Sequence, residues 1–156
     1  MTDFAAIDRH IDAHLDASIA ELSALVAQPS IAAQDLGMAP CAELVAELLR
    51  SRGFATEILP TGGAPVVVAE RDGASDRTLL VYNHYDVQPP EPLELWTSPP
   101  FTPTLRNGCL YGRGVSDDKG HITSRLLAID ALLAERGKLP CRIKFVVEGE
   151  EEVGSV

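Results

Sequence analysis

TLLVYNHYD, Thr78 to Asp86, runs an apolar segment straight into a histidine and an aspartate one residue apart. An extended segment sends residues i and i+2 to the same side, so His84 and Asp86 point into one shared space. The continuation VQPPEPLELW carries Pro89, Pro90 and Pro92, which end any strand. The stretch therefore reads as a strand whose carboxyl end presents two titratable side chains. Whether that end is a site depends on what the rest of the chain brings to it.

Outward from this strand, the pattern alternates helical and extended segments. Phe4 to Ala27 places Ile7, Ile11, Leu15, Ile19, Leu22 and Val26 at spacings of three and four, which predicts an amphipathic helix closed by Pro29. Cys41 to Arg52 predicts a second helix, with Leu44, Val45, Leu48 and Leu49 inward and Gly53 as its stop. Ala64 to Glu70 contains Val66-Val67-Val68 and reads as a strand. Phe101 to Tyr111 folds back at Asn107-Gly108, a hairpin signal. Asp118 to Arg136 predicts a long helix, and Cys141 to Val147 a strand entering EGEEEVGS. This order gives an α/β fold class, with helices packed on a mixed, mostly parallel sheet.

The chain has 156 residues, 46% of them hydrophobic, which is the length of one domain with enough apolar content for a core. Thirteen basic against 23 acidic residues leave a net charge of −10. Phosphate contacts need lysine and arginine surfaces, so neither nucleic acid nor an anionic membrane is expected as a partner. No run approaches the roughly 18 apolar residues of a membrane helix. Cys41, Cys109 and Cys141 are odd in number and widely spaced, as reduced, buried thiols of a cytoplasmic protein would be. MTDFAAIDRH lacks the basic start and apolar stretch of a signal peptide.

Two further clusters follow the first. GRGVSDDKG, Gly112 to Gly120, has the glycines of a close-approach loop but not the phosphate-loop spacing, and Asp117 and Asp118 would repel a phosphate. They suit a cation, or else cap the following helix. EGEEEVGS brings Glu148, Glu150, Glu151 and Glu152, either as a solvated loop or as ligands. Each cluster follows a strand, and ligands of open α/β sheets collect at the carboxyl ends of strands. Neighbouring strands lie about 4.8 Å apart, so the three loops can meet. Carboxylates crowded around one imidazole oppose ionisation unless a divalent cation sits among them. One carboxylate can bridge two metals. The donor set suits zinc, with cobalt or manganese as substitutes.

His84-x-Asp86, Gly112-Arg113-Gly114-x-x-Asp117-Asp118-Lys119-Gly120 and Glu148-Gly149-x-Glu151-Glu152-x-Gly154-Ser155 together resemble the three N-terminal motifs of the co-catalytic zinc metallopeptidases. That family includes carboxypeptidase G, carnosinase-type dipeptidases, acetylornithine deacetylase and succinyl-diaminopimelate desuccinylase. WTSPPFTPTLRNGCLYGRG resembles its bacterial dipeptidase branch. The resemblance implies a hydrolase of amide bonds in dipeptides or N-acyl amino acids, holding two Zn2+. It implies His84, Asp117 and Glu152 as metal ligands, with Asp117 bridging. Asp86 would orient His84, and Glu151 would be the general base that deprotonates the attacking water. It also implies a cis peptide between Asp117 and Asp118. Two metals sharing one bridge call for five protein ligands, of which three match here. Residues 1–156 are therefore expected to be the N-terminal part of a catalytic domain. The remaining ligands and a lid or dimerisation domain, through which the full-length protein would form a homodimer, would lie elsewhere. The chain alone is expected to be inactive; the alternative is a non-catalytic truncated product with at most weak metal binding.

Three remaining features read as structural. His10 and His14 mimic half of a zinc helix, but Ile11 stands where H-E-x-x-H needs glutamate, so both belong to a helix surface. His121, beside Lys119 at the start of the long helix, reads as helix-start polarity, with an approach to the site as the alternative. Trp96 and Phe101 read as packing.

Overall fold

The computed structural model describes residues 4–155. A long helix α1 (Phe4–Ala27) leads into α2 (Met38–Ser51), then strands β1 (Ala55–Leu59), β2 (Val66–Arg71) and β3 (Thr78–His84). A small hairpin of β4 (Thr104–Arg106) and β5 (Cys109–Tyr111) precedes α3 (Lys119–Arg136) and β6 (Arg142–Glu148). The main sheet has the order β1-β2-β6-β3, and β4-β5 form a separate two-stranded sheet.

The sheet is mixed, as expected, but its balance is the reverse of mostly parallel. β1–β2 and β2–β6 are antiparallel and only β3–β6 is parallel. The cause lies in the connections. β1 reaches β2 through a short link, which forces reversal, whereas β3 reaches β6 only after the helical crossover α3. β1 was not foreseen. Its ATEIL pattern leaves only Thr56 and Ile58 half-buried, too faint an alternation for an edge strand to announce itself.

The core lies on one face of the sheet. Val67 and Ala69 of β2 and Ile143, Phe145 and Val147 of β6 pack with Val45 and Leu49 of α2 and Ile122, Leu126 and Ile129 of α3. Phe54 meets Phe145 edge-on, with ring centroids 5.5 Å apart. Leu15, expected inward, is exposed; only Leu25 and Val26, in the last turn of α1, are fully buried. The hairpin turns where anticipated, with Asn107 at φ 51° and Gly108 at φ 77°, the pair of positive values a two-residue reversal demands. Of the three free cysteines only Cys41 is buried; Cys109 is exposed and Cys141 intermediate, which corrects the expectation for those two. Among the described residues, no helix is long and apolar enough to cross a membrane.

Candidate metal centre

The site gathers where β3 and β6 end side by side. His84 lies opposite Glu148 in the parallel register, so the loops after both strands leave from one corner. The second cluster arrives differently from the expected route. GRGVSDDKG follows β5 of the small hairpin, not a strand of the main sheet, and reaches the corner through the first turn of α3. Gly120 packs so closely on the Val115 carbonyl that a Cβ there would lie 2.0 Å from it. The loop is thus folded tightly back on the helix it feeds.

His84 is buried, and both ring nitrogens are engaged. Nδ1 is 3.3 Å from Asp86 Oδ1 and 3.2 Å from the Asp86 carbonyl. Nε2 is 3.0 Å from Asp117 Oδ1 and 3.9 Å from Glu151 Oε2. Burial by itself would lower the imidazole pKa. The hydrogen bond to Asp86 and the charges of Asp118, Asp86 and Asp117 outweigh it and push it up to about 9. Without a cation, His84 is therefore the positive charge that makes its acidic neighbours tolerable.

Asp86 is fully buried and is the hub of the corner. Besides His84, its two oxygens accept the backbone N–H groups of Glu151 (3.3 Å) and Glu152 (3.0 Å). One carboxylate thereby fixes the imidazole and the glutamate loop together. Glu152 also accepts a hydrogen bond from Gln88 Nε2 at 2.7 Å. The other two glutamates turn away. Glu148 accepts from Tyr82 Oη (2.5 Å) and Ser155 Oγ (3.0 Å), and Glu150 packs against Gly63.

Asp117 and Asp118 are joined by a cis peptide and part company at once. The Asp117 side chain is 73% exposed and faces His84. Asp118 stands at the N-cap of α3, yet its carboxylate caps no helix amide. Its Oδ2 accepts from Asn83 Nδ2 (2.5 Å) and the His84 N–H (3.1 Å), and its Oδ1 from His121 Nδ1 (2.5 Å). Lys119 is fully buried and donates to the carbonyls of Leu25 (3.0 Å) and Gln28 (2.7 Å), tying this loop to the end of α1.

Two groups of side chains have donor atoms within 4.8 Å of one another, as one cation requires: His84 with Asp117 and Asp118, and His84 with Glu151 and Glu152. All five residues singled out from sequence, His84, Asp86, Asp117, Glu151 and Glu152, thus meet around one imidazole. His10 and His14 stack on each other at 4.0 Å on α1 and belong to neither group. Trp96 packs in its loop, donating to the Pro90 carbonyl. Sequence reasoning missed Asn83, Gln88 and the anchoring role of Lys119. A lysine inside an otherwise acidic, glycine-rich loop is the one signal that pointed there, since burying its ammonium demands acceptors.

Residues 80–156 match Peptidase family M20/M25/M40. The succinyl-diaminopimelate desuccinylase of Delftia acidovorans is 41% identical over 138 residues, which cover 85% of this chain and 35% of that enzyme. An M20 family metallo-carboxypeptidase from Sulfolobus solfataricus superposes with a TM-score of 0.84 at 39% identity, over 89% of this chain and 32% of that one. Human carnosine dipeptidase 1 superposes with a TM-score of 0.91 at 31% identity, over 97% of this chain and 36% of that one. The chain thus spans about a third of the length of the relatives it matches. Through the motifs, the fold they sit on and the corner they share, the chain resembles the N-terminal part of members of Peptidase family M20/M25/M40.

Proposed function

We propose that the chain supplies the N-terminal part of the catalytic domain of a zinc-dependent amide hydrolase acting on dipeptides or N-acyl amino acids. The observation that carries this reading is His84, whose Nδ1 is held by Asp86 while Nε2 faces Asp117 and Glu151. That is the orientation a ligating imidazole needs, one nitrogen fixed and the other turned toward the carboxylates that would share the cation. One imidazole among carboxylates on an acidic corner is a donor set that fits zinc, with cobalt or manganese as substitutes. In this reading His84, Asp117 and Glu152 would hold the metals. Bound there, zinc would supply a Lewis acid that polarises the substrate carbonyl.

The chain's own residues do the rest. Asp86 keeps Nδ1 protonated and clamps the Glu151–Glu152 loop to the same carboxylate. Glu151, with a side chain 44% exposed beside His84, accepts the proton of the attacking water and returns it to the leaving amine. The relatives support this substrate class, since a succinyl-diaminopimelate desuccinylase and a carnosine dipeptidase are among them. Three free thiols support a reducing, cytoplasmic location. The two ligands beyond these three, and a lid or dimerisation domain, belong to the remaining length of such an enzyme.

The test is Glu151→Gln in a polypeptide of the relatives' full length. Turnover should fall by at least about 100-fold, with metal content near that of the unsubstituted enzyme. Loss of metal instead would make Glu151 a ligand. The 156-residue chain alone, given zinc or cobalt, should not hydrolyse dipeptides, and substantial hydrolysis would overturn the ligand count.

A further inference from the structure

We propose that His121 decides which carboxylate of the Asp117–Asp118 pair meets the cation, by holding Asp118 out of the coordination sphere. The inference rests on the metal-centre reading above and deepens it. Both aspartates have an oxygen near enough to His84 to serve one cation, and electrostatics alone does not choose between them. A cation drawing in both would gain a ligand and lose the open position that a catalytic site keeps.

The hydrogen bonds make the choice. Asp118 Oδ2 is saturated by two donors from β3, the Asn83 amide and the His84 N–H. Oδ1 is held at 2.5 Å by Nδ1 of His121 alone. The Asp117 side chain meets only His84 Nε2, at 3.0 Å, among the hydrogen bonds of the described residues, and is 73% exposed where the Asp118 side chain is 10% exposed. His121 stands one turn into α3, directly above Asp118, and its side chain is 61% exposed. It belongs to neither cation-sized group. An imidazole with an Nδ1–H donates to Asp118 whether neutral or protonated, so the restraint does not depend on its charge. Remove the donor and Oδ1 is left without a partner, free to pivot about an Oδ2 that stays anchored. His121 is thus a positioning residue, acting on the metal through Asp118.

The experiment titrates cobalt into a polypeptide of the relatives' full length, unsubstituted and as His121→Ala and His121→Asn, and reads visible absorption per bound ion with affinity from chelator competition. Cobalt absorbs strongly at low coordination number and weakly when ligands are added, so the band reports geometry. His121→Ala should lower the absorbance per bound ion by about half or more, with thermal stability nearly unchanged because the side chain is exposed. His121→Asn, whose amide nitrogen reaches where Nδ1 stood, should restore the original band. A His121→Ala spectrum identical to the original overturns the inference while leaving the metal centre intact. An asparagine variant that behaves like alanine overturns the donor assignment. If the unsubstituted full-length polypeptide develops no cobalt band even at millimolar metal, the metal centre itself falls and takes this inference with it.

Discussion

His84 carries a testable consequence before any metal is bound. Its pKa is about 9 in the folded chain against about 6.5 for an ordinary histidine, because Asp86, Asp117 and Asp118 stabilise the imidazolium. A group raised on folding contributes stability that is fully present below the unfolded value and disappears as pH climbs through the folded one. The metal-free chain should therefore lose stability between about pH 6.5 and 9. Urea midpoints in the presence of a chelator should fall across that window, and His84→Gln should flatten the dependence. A midpoint independent of pH in the unsubstituted chain would mean the carboxylates do not bear on the ring. The residues behind this behaviour were legible as letters: a histidine and an aspartate at a strand end, followed by two acidic clusters. What sequence could not show was the division of labour among adjacent acids. Glu148, Glu150, Glu151 and Glu152 read alike in a string, and only the hydrogen bonds separate those at the imidazole from those turned away.

Elements repeat the lesson in larger units. α3 was legible from its periodicity, and β6 from an apolar run that ends in charge. The turn of the hairpin was legible from Asn107-Gly108, whose positive φ values few other pairs tolerate. The antiparallel majority of the sheet was not legible, because direction is set by which strand slips between two others, and β6 enters between β2 and β3 only in three dimensions. The entry of the second cluster along α3 was equally hidden. It creates a prediction at Gly120, the second residue of that helix. Alanine is favoured over glycine in a helix by about 1 kcal/mol, so Gly120→Ala would stabilise an isolated α3. In the folded chain its Cβ would meet the Val115 carbonyl at 2.0 Å, a backbone atom with no side-chain freedom to yield. The overlap wins, and the substitution should cost about 1–3 kcal/mol in chemical denaturation. It should also weaken cobalt binding, because the loop displaced carries Asp117. Gly62→Ala, with open space around its Cβ, serves as the control and should stay within about 0.5 kcal/mol.

At the scale of the molecule, α2 and α3 pack on the sheet and α1 packs on α3, and their mutual placement decides whether the corner stays assembled. α1 contributes only Leu25 and Val26 as fully buried residues, so a polar link adds to the partial burial of Ile7, Ile11, Ile19 and Leu22 in holding its length against α3. Arg52, just past the end of α2, is such a link. Its Nε lies 3.0 and 2.9 Å from the two Asp130 oxygens on α3, and its Nη2 is 3.0 Å from each Glu21 oxygen on α1. Nη1 returns to the Leu48 carbonyl, so one guanidinium joins all three helices. Its side chain is only 13% exposed, and in a chain of net charge −10 its loss would leave two carboxylates facing each other without a cation. Lysine keeps the charge but offers one point where arginine offers a planar fork. Arg52→Lys should therefore cost about 1–2 kcal/mol and Arg52→Ala about 3 kcal/mol, as for a broken, partly buried ion pair. Denaturation midpoints measure both. Adding Glu21→Gln and Asp130→Asn to Arg52→Ala should recover part of the loss, because the repulsion between the stranded acids would be gone. If Arg52→Lys unfolds at the same midpoint as the original, charge alone suffices and the fork geometry is not what binds α1 to α3. If the triple variant is no better than Arg52→Ala, the cost lies in the arginine's packing and not in the acids it neutralises.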